Sequence, residues 1–409
     1  MKIILVHQAF VSPHEGGGTR HFEFASHCQK AGHHFRIIAS DLSYLSGQSV
    51  LSQNGITIEQ DIDGVLVTRA KTLPVHHKSF FWRVISFLSF MCSSFYAGLK
   101  SEKVDIVMGT TPPIFQAVSA WAISKIKRVP FLLEVRDLWP DFAVDMGVLK
   151  NPVLIYLSKK LEKFLYAQAV HIIVNSPAYK DYLVEKHQIA ASKVSLISNG
   201  VNPAMFDPND DGAGIRKKLN IENKFVVTYA GAIGLANDIR TILSAAKILK
   251  SESSIVFLLV GDGKERTKMM ELADEWGLEN VIFTGVYPKK EMKEILAGSD
   301  LCLATLLDIP MFRKTYPNKV FDYMAAGRPT ILGIDGVIRK VIEDADGGVF
   351  VQPGDGKIIA EKVMYFQQNP DRKAECGKNA RSYVAKHFDR SQHAELFEHL
   401  INRIVSSNS

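Results

Sequence analysis

Short, almost unbroken apolar runs alternate with helical stretches from the beginning of the chain: IILVH at 3–7, FRIIAS at 35–40, VLVTR at 65–69, VDIVMG at 104–109, FLLEVR at 131–136 and HIIVN at 171–175. A strand apolar at nearly every position, rather than every second one, is covered on both faces. The runs therefore predict a parallel, doubly wound α/β domain with helices on both sides of its sheet. The pattern restarts after Asn220 with FVVTYAG (225–231), IVFLLVG (255–261), VIFTG (281–285), DLCLAT (300–305) and PTILG (329–333), each followed by a helical stretch. A second Rossmann-like domain is expected there. The aperiodic segment SNGVNPAMFDPNDD (198–211), rich in Asn, Asp and Pro, reads as the linker. Two such domains in tandem are expected to face an interdomain cleft with the carboxyl ends of their sheets, where α/β folds bind ligands.

One helical stretch differs from the others. Residues 79–99, SFFWRVISFLSFMCSSFYAGL, are long enough to span a bilayer, which takes about 20 residues. They lie between two strands of one expected sheet, so crossing would place VLVTR and VDIVMG on opposite sides of a membrane. Ser79, Arg83, Ser86, Ser89 and Ser93 recur at helical spacing and predict one polar stripe on a broad apolar helix. The bland reading packs all of the apolar face on the sheet. The flanking Arg69, Lys71, Lys78, Lys100 and Lys103 favour an interfacial helix that lies on anionic lipid and brings the N-terminal domain to a lipid-linked acceptor.

Composition adds modest constraints. The 409 residues are 46% hydrophobic and 22% charged, an ordinary globular balance. The net charge of +6 falls in the first half of the chain. Its densest basic stretch is residues 69–103, where Arg69, Lys71, Lys78, Arg83, Lys100 and Lys103, with His76 and His77, face one acid, Glu102. Such a patch suits a phosphate-bearing substrate or an anionic membrane surface, and nothing points to nucleic acid. Cys28, Cys92, Cys302 and Cys376 stand singly, so free, buried thiols are expected rather than disulfides or a Cys-based zinc site. The N-terminal sequence has no apolar signal core, and a cytoplasmic location is expected.

Several motifs carry candidate chemistry. The loop ending in GGGTRHFEFA places Gly16, Gly17 and Gly18 ahead of a helix, where backbone N–H groups and the helix N-terminus favour phosphate, although a simple turn has the same look. GDGKER ends a strand and opens a helix, offering Gly261, Gly263, Lys264 and Arg266 to a pyrophosphate or to solvent. In FRKTYPNKVFDYMAAGRPTI, Lys319 and Asp322 share a helix face. A cation for phosphate beside a carboxylate for a ribose diol is what a sugar nucleotide needs, and a surface ion pair is the alternative. FLLEVRDLWPD puts Arg136 and Asp137 at the carboxyl end of a strand. There Glu134 and Arg136 either neutralise each other or serve the site, and Asp137 is either functional or a loop carboxylate. Asp61/Asp63 and Asp344/Asp346 read as turns, the histidines lack metal spacing, and no metal site is expected.

Together GGGTRHFEFA, TTPPIFQAV, FLLEVRDLWPD, VNSPAYKDYL, SNGV, AGAIG, GDG, PNKVFDYMAAGRP and the tail HFDRSQHAELFEHL make the chain resemble glycosyltransferase family 4, the retaining GT-B enzymes, over essentially its full length. The similarity is greatest to the bacterial branch of N-acetyl-L-fucosamine transferase-like proteins of O-antigen and capsule assembly. The resemblance implies an acceptor-binding domain at 1–197, a nucleotide-sugar-binding domain at 198–386, and a C-terminal helix at 387–409 that packs back on the first. It places Gly16–Gly18 near the donor diphosphate and gives Asp322 the role of the glutamate that binds the nucleotide ribose. Arg136 and Asp137 would orient sugar and acceptor as the catalytic pair. Three departures from the family pattern matter. Ala232 and Asn237 stand where an Arg and a Lys usually clamp the diphosphate, leaving Lys319, Lys264, Arg266 and Arg313 as candidates beside Gly231. Lys314 stands for the first glutamate of the E-x7-E pair. Arg136 replaces a histidine common among relatives.

The implied reaction is transfer of a sugar from a UDP-sugar donor to a glycan acceptor, lipid-linked, with retention and without metal or cofactor, peripheral to the inner face of the plasma membrane. The rival readings are a sugar-nucleotide epimerase of the same fold and a non-catalytic nucleotide- or lipid-binding module. A dehydrogenase fits least, because its glycine fingerprint is absent.

Overall fold

Every apolar run singled out above is a strand in the computed structural model, which describes residues 1–43, 49–50, 55–75 and 80–408. His76, His77, Lys78 and Ser79 lie outside the described residues. The chain folds into two compact units, Met1–Ser12 with Thr19–Ser198 and Ser391–Ser409, and Pro13–Gly18 with Asn199–Arg390.

The first unit holds β1 (Lys2–Val6), β2 (His34–Ser40), β3 (Thr57–Ile62), β4 (Val65–Ala70), β5 (Ile106–Thr111), β6 (Phe131–Val135), β7 (His171–Val174) and β8 (Val194–Leu196). Their order is β3-β4-β2-β1-β5-β6-β7-β8. All neighbours are parallel except β3 and β4, which the expectation of a purely parallel sheet did not include. The local reason is Asp63-Gly64, both at positive φ (48° and 84°), the two-residue hairpin turn whose twist matches paired strands. The edge strand β3 alternates partly buried and exposed residues and shows no apolar run, so it leaves no such signal. Chain order reverses between β1 and β5, where adjacent connections leave on opposite faces and open a crevice at the strands' carboxyl ends. Helix Arg390–Ser406 contributes Phe397, Leu400, Ile401 and Ile404 to the core of this unit beside Phe24, Phe35 and Ile37.

The second unit holds β9 (Phe225–Ala230), β10 (Ile255–Val260), β11 (Val281–Gly285), β12 (Leu301–Thr305), β13 (Thr330–Gly333) and β14 (Gly348–Phe350), ordered β11-β10-β9-β12-β13-β14 and parallel throughout. Its switch point lies between β9 and β12. The two Rossmann-like units confirm the expected α/β fold class.

Helix Phe80–Lys100 turns serines of its polar stripe toward the rest of the first unit. Ser86 and Ser94 are buried and Ser89 half-buried; Ser86 donates to the Leu73 carbonyl at 2.8 Å, Ser89 accepts from the Leu73 amide at 2.9 Å, and Ser94 donates to Ser119 at 2.9 Å. The serines are small enough to let the helix sit close, and their hydroxyls find partners there. Phe81, Trp82, Leu88, Tyr96 and Leu99 are exposed instead. Among the described residues, no helix is long and apolar enough to cross a membrane. Cys92 lies on this exposed side, so of the four free thiols three are buried and one is not, contrary to expectation.

Candidate active site

At the carboxyl ends of β1, β5 and β6, the first unit collects a buried polar network. Arg20 and His21 open helix Arg20–Lys30 and turn inward. Arg20 Nε meets Glu134 Oε1 at 2.9 Å, and His21 Nε2 lies 2.5 Å from Glu134 Oε2. The remaining guanidinium donors of Arg20 reach the carbonyls of Ser198 and Ile197, each at 2.6 Å. Despite burial, which opposes its charge, Glu134 is held well below the usual carboxylate range by His21 and Arg20. Glu134 therefore bonds to these two residues and not to Arg136, so the suggested mutual neutralisation on one strand gives way to partners from a distant helix.

Arg136 donates instead to His7 Nε2 at 3.2 Å, and His7 Nδ1 lies 3.0 Å from the Thr110 hydroxyl. A ring nitrogen that accepts from a guanidinium carries no proton, so His7 is neutral with its proton on Nδ1. Burial, with the neighbouring His21 and the Arg136 guanidinium, holds it well below its ordinary pKa. The Arg136 Nε is buried and unpartnered. Beside it, burial pushes Asp137 up to about 6, and the Tyr179 hydroxyl donates to its carboxylate at 3.5 Å. A desolvated carboxylate with so few donors is costly unless a substrate hydroxyl completes its shell.

The second unit brings together Gly231, Lys319 and Asp322. Lys319 and Asp322 stand one turn apart on helix Asn318–Ala325, and they have separate partners rather than the surface ion pair that their spacing allowed. Lys319 Nζ donates to the Tyr229 hydroxyl at 2.7 Å and to Asn237 Oδ1 at 2.9 Å, and sits 4.2 Å from the centroid of the Tyr229 ring. Both partners are neutral, and desolvation lowers Lys319 to about 7. A Cβ on Gly231 would come within 3.3 Å of that ammonium. Asn237, one of the two positions lacking the family's clamp, thus holds the lysine. Asp322 Oδ2 meets Lys289 Nζ at 2.6 Å while its Oδ1 is buried and unpartnered. The Lys289 amide donates to the Glu15 carbonyl at 3.0 Å, tying the glycine-rich segment Pro13–Gly18 into this unit. Gly18 lies against Asn318, whose Nδ2 is 3.3 Å from where its Cβ would be, while Gly16 and Gly17 continue that segment.

The other candidates are placed differently. Gly261 and Gly263 support the Gly231 loop: a Cβ on Gly261 would fall 1.9 Å from the Gly231 carbonyl oxygen, and one on Gly263 2.4 Å from that of Ile233. Lys264 is exposed, and Arg266 begins helix Arg266–Glu275 with its Nε buried and unpartnered. Arg313 is exposed and paired with Asp308 at 2.9 Å. No group of acids, histidines and cysteines suited to a metal occurs among the described residues. Sequence reading missed His7, Arg20, His21, Tyr229 and Lys289. Only Arg20 and His21 left a signal, being polar residues on the inward face of an otherwise apolar FEFA helix start.

Comparison with known proteins agrees with this architecture. Residues 15–205 match the model for Glycosyltransferase Family 4, and residues 213–383 match that for Glycosyl transferases group 1. The chain is 25% identical over 267 residues to the probable glycosyltransferase WbjE of Pseudomonas aeruginosa, covering 64% of this chain and 66%, just under two thirds, of that protein. It is 22% identical to the putative colanic acid biosynthesis glycosyl transferase WcaI of Escherichia coli, with 80% and 82% covered. Among solved structures it is similar to the sucrose-phosphate synthase of Thermosynechococcus elongatus (TM-score 0.79, 18% identity, 99% of each chain). It is also similar to Anabaena HepE in complex with UDP-glucose (TM-score 0.74, 16% identity, 98% of this chain and 100% of that one). With two Rossmann-like units that match GT-B structures over nearly the whole chain, this protein carries a family 4-like glycosyltransferase domain followed by a group 1 glycosyltransferase domain.

Proposed function

We propose that this protein transfers a sugar from a UDP-sugar to a glycan acceptor carried on a lipid, retaining the anomeric configuration and needing no metal. The observation that carries the reading is Lys319, a half-buried side chain whose ammonium has only neutral hydrogen-bond partners, at the switch point of the second sheet. An anion is the missing partner, and a diphosphate is the anion suited to a site beside a side-chain-free Gly231 and a helix N-terminus. The free Asp322 Oδ1 would accept from a ribose hydroxyl. Complexes of HepE with UDP and UDP-glucose support the choice of nucleotide. WcaI's assignment to colanic acid synthesis supports a cell-surface polysaccharide, and the O-antigen and capsule branch resembling N-acetyl-L-fucosamine transferases is the narrower proposal.

In the proposed reaction the bond from the anomeric carbon to the diphosphate oxygen breaks, and a bond to the acceptor oxygen forms on the same face. The acceptor proton passes to the departing diphosphate oxygen. Lys319 stabilises the charge that develops there, which is where preorganised electrostatics accelerate group transfer. Asp137 and Arg136 orient the sugar and acceptor hydroxyls. Lipid contact at the inner face of the plasma membrane is proposed for the 69–103 region without Arg69, which is buried and donates to the Ser40 carbonyl at 3.1 Å; the exposed aromatic side of helix Phe80–Lys100 and Lys100, whose ammonium lies 4.5 Å from the Tyr96 ring centroid, support it.

A panel of UDP-sugars, tested for UDP release with and without a polyprenyl-diphosphate-sugar analogue, checks the reading. Acceptor-dependent release and a product with the donor's anomeric configuration by NMR are expected. A changed sugar without acceptor would instead establish the epimerase, and binding without turnover the non-catalytic module.

A further inference from the structure

Helix Pro152–Gln168 is inside out with respect to an ordinary surface helix. Its inward side carries Leu165, Tyr166 and Glu162, the helix's one acid, which accepts a hydrogen bond from the Tyr166 hydroxyl at 2.9 Å. Its outward side is apolar: Val153 is 62% exposed, Tyr156 57% and Leu157 54%, with Leu154 and Phe164 also exposed. Val153, Leu157, Lys160 and Phe164 recur at steps of four, three and four residues and form a single stripe. A contiguous apolar patch on a helix that has already buried its other side marks a contact surface.

The charges on this helix identify the occupant. Lys159, Lys160 and Lys163 are exposed on it, with Lys150 just before its start, whereas its sole carboxylate is buried. The Lys160 ammonium lies 4.7 Å from the centroid of the exposed Tyr156 ring. A second copy of the same face would set lysine against lysine. An anionic bilayer would take the aliphatic and aromatic groups into its acyl boundary and leave the long lysine stems to reach the headgroups.

Position in the fold strengthens the assignment. Helices Phe80–Lys100, Ile114–Lys127 and Pro152–Gln168 lie side by side on one face of the first sheet, the middle one packing on both neighbours and on β5. Phe87 packs on Phe115 and Trp121 on Phe164, so the outer helices flank the middle one. Their solvent sides point away from the same sheet face. We infer that the outward face of helix Pro152–Gln168 is a second lipid-contact element, which together with helix Phe80–Lys100 docks the first unit on an anionic membrane. The inference rests on the proposed membrane association but assigns it to residues outside 69–103.

The test is flotation of the full chain with phosphatidylglycerol–phosphatidylcholine vesicles and with phosphatidylcholine alone, at low and high salt. Wild type is expected to float with the anionic vesicles and to be released by salt. Val153→Ser/Leu157→Ser and, separately, Lys160→Glu/Lys163→Glu are each expected to lose about tenfold in vesicle partitioning, since each pair removes a share of the apolar or charge contact. UDP affinity should not change, which shows that the variants are folded. Variants that float like wild type, while Lys71→Glu/Lys100→Glu/Lys103→Glu does not, would overturn this inference and leave the 69–103 contact standing. A wild type that never floats would overturn both. A wild-type dimer that Val153→Ser/Leu157→Ser converts to monomer, without vesicle binding, would assign the face to a second copy and overturn the lipid.

Discussion

Both units bury charge at the carboxyl ends of their sheets, but they settle it in opposite ways. In the first, Glu134 is ringed by Arg20 and His21, and the spare donors of Arg20 end on backbone carbonyls. In the second, the Lys319 ammonium meets a phenol and an amide oxygen. A completed ion network fixes a scaffold, whereas a cation left with neutral partners is a site waiting for its anion. The contrast separates residues that shape the active site from residues that bind substrate, even though Glu134 is buried and Lys319 half-buried and both are charged.

The largest expected effect tests the scaffold. Glu134→Gln leaves Arg20 buried without its carboxylate and should cost about 3–5 kcal/mol in denaturant unfolding. Lys319→Met should leave unfolding unchanged or make it harder, because it removes a desolvated charge. Equal losses in the two variants would erase the distinction.

Ligand binding should reverse that ranking. Lys319→Met is expected to weaken UDP on the order of ten- to a hundredfold by calorimetry while changing uridine little, since a charge-assisted hydrogen bond is worth about 1.5–3 kcal/mol. Asp322→Ala should weaken uridine and UDP alike, by a similar or smaller factor, because its proposed partner is the ribose. A Lys319 variant that loses uridine and UDP equally would remove the phosphate assignment.

The smallest effect is one of pH. Asp137 is raised to about 6, so its ionised form fills in as pH climbs through that value and kcat/KM should rise with it. Lys319 is lowered to about 7, so the free protein loses that ammonium as pH passes it and donor capture should decline. The expected profile is a narrow bell between these limbs. Asp137→Asn should flatten the acid limb, and Lys319→Arg should move the alkaline limb upward, since a guanidinium stays charged. An unchanged alkaline limb in Lys319→Arg would assign that limb to another group.

How much was legible from the chain follows from the range of each interaction. The strands were, because apolar runs such as IVFLLV report burial on both faces locally. Lys319 and Asp322 were recognisable as a pair, because a helix turn brings them together within four residues. Their partners were not: Lys289 lies 33 residues from Asp322, and Tyr229 lies 90 from Lys319. The Glu134 network was equally hidden, since His21 is 113 residues away and the neighbouring Arg136 was the obvious partner in its place.

The sequence by itself determined two tandem α/β domains, the glycine-bearing turns at the ends of their strands, and a helix at 79–99 too polar on one side to be uniformly lipid-facing. Periodicity could show that this helix has two different sides. It could not show which one meets the sheet, because serine hydroxyls are as stable inside as out once a carbonyl such as that of Leu73 is in reach. Only the tertiary structure decided that Ser86, Ser89 and Ser94 turn inward while Phe81, Trp82 and Tyr96 turn outward, and that Glu134 has its counterion while Lys319 does not. Whether a buried charge has its counterion depends on where the other strands and helices end in space, and that is settled by packing of the whole sheet rather than by any stretch of the chain.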